Sequence, residues 1–156
     1  MLTDPASMAT LGGGIALAGG VTGSAIGISI AASAGTAILS QDSRQLRNII
    51  ILASIPMSQT FYGLIVLVLI LTSVVPNLPS EGGSGFVVLA CSVVAALAFA
   101  TSGAWKGNVC ASGIAFLPKT RGRILTNSIM LAVFVELISV LGLVFTIMAL
   151  SMLSLM

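Results

Sequence analysis

Four long apolar stretches, separated by short polar loops, leave this chain of 156 residues little choice of fold. They run from about Met8 to Ser40, Asn48 to Val75, Phe86 to Leu117 and Ile124 to Met156. Crossing the roughly 30 Å hydrocarbon layer of a membrane takes about 20 helical residues, so each stretch suffices for one crossing. Lipid offers the backbone no hydrogen-bond partners, so such segments must satisfy their own polar groups as helices. Only 6% of the residues are charged and 57% are hydrophobic, whereas about a quarter of a soluble domain is charged. The expected fold is therefore an all-α integral membrane protein of four transmembrane helices, with little chain left for a soluble domain.

The loops set the topology. Gln41-Asp-Ser-Arg44-Gln-Leu-Arg47 and Pro118-Lys119-Thr-Arg121-Gly-Arg123 are basic, whereas Asn77-Leu-Pro-Ser-Glu81-Gly-Gly-Ser-Gly85 has an acidic residue and no basic one. An excess of Lys and Arg marks cytoplasmic loops. Both termini and the Glu81 loop then lie on the opposite side, and the chain reads as two tandem hairpins, residues 1–80 and 81–156. Shifting the sequence by 80 positions lays Gly23, Gly27 and Ala31 on Gly103, Gly107 and Ala111, as expected for a duplicated hairpin. Under the same shift Glu136 falls on Pro56, so the first copy lacks a carboxylate.

Several functional classes are disfavoured. The opening Met1-Leu-Thr-Asp4-Pro lacks the basic start of a signal peptide, so the first helix is expected to be retained. Cys91 and Cys110 share the third span and are read as buried thiols. There is no His, no zinc or haem spacing, no phosphate loop and no nucleophile constellation. The basic patches with interleaved aromatics that nucleic acid requires are also missing.

Glu136 is the one acidic residue inside an apolar segment. An ionisable group in a membrane span is costly and is read by default as functional, with a partner nearby. The polar run Ser54-Ile55-Pro56-Met57-Ser58-Gln59-Thr60-Phe61-Tyr62 of the second span is the natural source of partners. Pro56 donates no backbone hydrogen bond, so a carbonyl one turn earlier is freed. The run reads either as a Pro-kinked helix glued to its neighbours or as a ligand shell for a cation or a protonated carboxylate. At 1.5 Å of rise per residue, Gln59, Lys106 and Glu136 each lie roughly 15 residues from the middle of a basic loop, which places all three near mid-membrane. Span 1 adds a stripe of small residues, Gly19, Gly23, Gly27, Ala31 and Gly35, of the kind that lets helix backbones approach closely in lipid.

Pro56-Met-Ser58-Gln59-Thr-Phe-Tyr62-Gly63 and Val135-Glu136 with Gly142 resemble the V-type rotary ATPase proteolipid, the repeating component of a membrane rotor ring, and the resemblance extends over essentially the whole chain. It implies a closed membrane ring of identical subunits that turns against a static membrane subunit bearing an arginine. Central-stalk subunits link the ring to a soluble head that makes or hydrolyses ATP, so the chain itself has no catalytic site. The resemblance also implies that the carboxylate reversibly binds Na+ or H+, with no covalent cofactor. In members similar to the sodium carriers, the ligands correspond to Glu136, Gln59, Ser58 and the carbonyl of Ile55, with Tyr62 hydrogen-bonded to the carboxylate. Oxygen donors suit a small hard cation. The expected location is a membrane, with a prokaryotic cytoplasmic membrane the favoured one, and the surrounding partner is lipid.

The sequence departs from the sodium carriers at Lys106, where they place a second glutamine. Three arrangements are open: Lys106 pairs with Glu136 within the transport cycle, it turns toward the ring lumen or a water-filled gap, or it marks a subunit that does not transport. An ammonium beside Glu136 would compete with sodium. Trp105 reads as a packing residue. Two alternatives to a rotor subunit are a small four-helix cation exporter or antiporter using Glu136, and a purely structural proteolipid.

Overall fold

The computed structural model describes residues 4–79 and 83–155, and among them it is all-helical. The first span is one continuous helix, α1 (Pro5–Leu39). The second span, Ser43–Asn77, is divided. It contains α2 (Leu46–Ser54) and α3 (Ser58–Leu69), joined by a tighter 3₁₀ turn at Ile55–Met57 and followed by a π-helical turn at Ile70–Val74. The third and fourth spans are α4 (Ser84–Thr120) and α5 (Ile124–Met152). All four spans are long and apolar enough to cross a membrane, and the chain is a multi-pass membrane protein. Glu81 and the 80/81 hairpin boundary lie outside the described residues.

Local chemistry accounts for the helix ends. Asp4 caps α1 by accepting from the backbone N–H of Ser7 at 3.2 Å, and Pro5 occupies the first turn, where a missing N–H costs nothing. At the other end of the bundle α4 stops at a left-handed pair, Arg121 at φ 52° and Gly122 at φ 83°. The Gly122 N–H closes onto the Leu117 carbonyl at 2.9 Å, which satisfies one of the carbonyls a helix end leaves open. Gly122 lies against Asn48 and Gln45, so the two basic loops share one end of the molecule. Gly85 sits against Pro5 at the opposite end.

Glycine decides how the spans pack. A Cβ at Gly23 or Gly27 would strike the α4 backbone at Phe99–Ala100 or Gly103, and one at Gly103 or Gly107 would strike Gly23 or Gly27 in return. The parallel helices α1 and α4 therefore touch backbone to backbone, along the two small-residue stripes that the 80-residue shift aligns. Gly20 brings α1 equally close to the backbone of Gln59. Two apolar clusters fill the remaining interior. One, toward the termini, contains Val66, Ile70, Val88, Phe99 and Leu150, and the other, toward the basic loops, contains Ile49, Leu52, Ile114, Leu117 and Ala132. Polar side chains occupy the level between them. Cys91 and Cys110 are buried free thiols on α4.

Candidate functional site

Pro56 creates the first irregularity at this level. Without its N–H the helix tightens into the 3₁₀ turn Ile55–Met57. Ser24 of α1 stabilises the break: its hydroxyl donates to the Pro56 carbonyl at 2.9 Å and accepts from the Thr60 backbone N–H at 3.1 Å and the Thr60 hydroxyl at 2.8 Å. A side chain from the neighbouring helix thus stands between the Pro56 carbonyl and the Thr60 N–H and bonds both, which satisfies backbone groups at the break as non-ideal backbone at membrane depth requires. The break also fixes where Ser58, Gln59 and Tyr62 begin their helical stripe.

Gln59 is fully buried and uses all of its hydrogen-bonding capacity. Its Nε2 donates to Ser139 Oγ at 3.0 Å and to Ser102 Oγ at 3.3 Å. Its Oε1 accepts from Ser58 Oγ at 2.9 Å and from Lys106 Nζ at 3.1 Å. Ser102 in turn donates to the Val135 carbonyl at 2.8 Å, just before Glu136. This network orients the amide: reversing it would aim its NH2 group at an ammonium.

Lys106 completes the site. It is fully buried, and its ammonium lies 2.7 Å from Ser58 Oγ, 3.1 Å from Gln59 Oε1 and 3.2 Å from Glu136 Oε1. An ammonium has three N–H donors, and each finds an oxygen. Glu136 Oε1 also accepts from the Tyr62 hydroxyl at 2.9 Å. The Glu136 side chain keeps 19% of its surface exposed, so the carboxylate sits at the edge of the helix bundle while the ammonium lies inside. Burying two charges is costly, and they are retained only where geometry and further hydrogen bonds compensate, as they do here.

The structure brings Glu136, Gln59, Ser58, Tyr62 and Lys106 together, where the level count places the first, second and last of them at one depth and leaves their contact open. Ile55 lies one turn away, and its carbonyl accepts from the backbone N–H of Ser58, with the Ser58 hydroxyl at 3.3 Å. Of the three arrangements open to Lys106, turning toward a lumen is not the one observed. Ser102, Lys106 and Cys110 form the buried stripe of α4, whereas Trp105, 65% exposed, points away from the site. The sequence reading passed over Ser102, Ser139 and Ser24. Ser102 stands one turn before Lys106, and Ser139 is the 80-residue counterpart of Gln59, so two of the three carried a detectable signal.

The fold and site can be set beside known proteins. No curated protein matches the chain. Residues 11–70 match the family model of the ATP synthase C subunit. The matched region is the first hairpin, including Ser24, Ile55, Ser58, Gln59 and Tyr62, and it stops before Lys106 and Glu136. Over those residues the chain is similar to the ATP synthase C subunit.

Proposed function

We infer that this protein is a ring subunit of a membrane rotor, of the V-type ATPase or ATP synthase kind, in which Glu136 holds and releases one monovalent cation, Na+ or H+, as the ring turns. The observation that carries this reading is the single intramembrane carboxylate, held from inside by Tyr62 and Lys106 yet still partly exposed at the protomer edge. A carrier in a ring needs that arrangement, with one group presented to a stationary partner and its supports behind it. The similarity of residues 11–70 to the ATP synthase C subunit supports the same assignment. The close α1–α4 packing suits a narrow subunit that repeats around an axis, since homo-oligomers normally close with cyclic symmetry.

In this reading the partners are identical subunits, a static membrane subunit bearing an arginine, the central stalk and lipid. ATP chemistry belongs to a separate soluble head. The setting is a membrane such as the prokaryotic cytoplasmic membrane. Glu136→Gln removes the charge with little change in volume and should abolish ATP-driven ion movement in sealed vesicles, and Glu136→Gln made together with Lys106→Gln, which leaves no unpaired charge, should do the same while the ring still assembles. Retained transport would overturn the assignment. Native mass measurement supplies the second test: many copies in a closed ring support the rotor, whereas a dimer supports a cation exporter using Glu136.

A further inference from the structure

We propose that Lys106 is the ion-selectivity residue of this site, a tethered ammonium that takes the position of the carried cation and excludes alkali ions. The proposal rests on the reading of Glu136 as the ion-carrying carboxylate. Its basis is geometric. The side-chain oxygens expected to surround a sodium ion, those of Glu136, Gln59 and Ser58, converge on one atom, and that atom is Lys106 Nζ, at 3.2, 3.1 and 2.7 Å. The remaining expected ligand, the Ile55 carbonyl, is bonded by Ser58.

An ammonium and an alkali ion make similar demands on such a shell, since each carries one positive charge and is stabilised by several oxygens. They differ in attachment. Lys106 arrives with the helix and cannot diffuse away, and its side chain is fully buried between spans. Each of its N–H donors already has an acceptor, and Gln59 has no bonding capacity left to offer another ligand. A sodium ion entering the same shell would sit within about 4 Å of a like charge, which weakens binding on the order of 1,000-fold at the effective dielectric of a partly buried site. Building a charge against the unwanted ligand is a general route to specificity. Of the two ions that the proposed function admits, sodium is thereby excluded.

The test is equilibrium binding of radiolabelled Na+ to the purified, lipid-embedded protein. The native chain should show no saturable uptake. Lys106→Gln should gain one saturable site per chain, and that site should vanish again when Glu136→Gln is added. Saturable uptake by the native chain would overturn the proposal, as would a Lys106→Gln chain of unchanged helix content that gains none. If Lys106→Gln does not fold, Lys106→Met removes the same ammonium and should gain the site instead; a folded Lys106→Met chain that gains none would overturn the proposal, as saturable sodium uptake by the native chain does. Binding needs only the folded chain, so this result is independent of ring mass and of ATP-driven transport, the measurements on which the rotor reading stands.

Discussion

The two hairpins solve the same problem with different chemistry. Each has a helix break or a charge at one level of its second member, Pro56 in the first copy and Glu136 in the second, positions related by the 80-residue shift. In both, the first member of the hairpin supplies the partner. Ser24 of α1 donates to the Pro56 carbonyl at 2.9 Å, and Lys106 of α4 pairs with Glu136 at 3.2 Å. A neutral hydroxyl suffices for a peptide carbonyl, whereas a carboxylate in lipid calls for a full positive charge. The counterpart of Lys106 in the first copy is Ile26, which is exposed, so the buried ammonium is a feature of one copy alone. The copies still meet as a pair of equals at Gln59 and Ser139, corresponding residues that hydrogen-bond directly at 3.0 Å. One hairpin thus contributes neutral oxygen donors and the other the charges, and the site exists only where they join.

If the charged half depends on its internal pair, breaking that pair should have the largest effect. Lys106→Met keeps an unbranched apolar stem but removes the ammonium and leaves Glu136, Gln59 and Ser58 short of a partner. It should destabilise the protein by about 4 kcal/mol, as loss of one member of a buried ion pair does. Denaturation in mixed micelles would measure this, and a loss comparable to that of a surface substitution would mean the pair contributes little. The packing of the two copies should instead be symmetric. Gly27→Val and Gly107→Val each force a side chain into the opposing backbone and should cost about 3 kcal/mol apiece, the upper part of the range for overpacking. Markedly unequal losses would show that the stripes do not share the load. Tyr62→Phe removes one hydrogen bond to a charged acceptor and should cost about 1.5 kcal/mol in the same assay. An unchanged midpoint would make the phenol dispensable to the first hairpin's contribution.

Axial position was legible in the sequence and rotation about the helix axis was not. A fixed rise per residue let Gln59, Lys106 and Glu136 be placed at one depth by counting from the basic loops. Whether Lys106 faced Glu136 or a lumen depended on how α1 and α4 turn relative to each other, and that is set by backbone contact at Gly23, Gly27, Gly103 and Gly107. The glycine stripe was visible, yet its partner surface could be identified only once the helices were packed. The Ser24 clamp was hidden for another reason. A serine beside a glycine stripe looks like one more small residue until the carbonyl of Pro56 is seen facing it. The π-helical turn at Ile70–Val74 has no sequence signature in Ile70-Leu-Thr-Ser-Val74.

The turn at Arg121 and Gly122 bears on how the protein enters its membrane. It is short, and it joins the two helices that carry the buried charges, so Lys106 and Glu136 belong to one insertion unit and lie at one depth within it. A lone ammonium or carboxylate entering the bilayer would meet the full cost of an intramembrane charge, whereas the hairpin delivers both together as a neutral couple. The first hairpin brings no charge to that depth and imposes no such condition. Biogenesis of the second hairpin is therefore tied to the pairing that later defines the site.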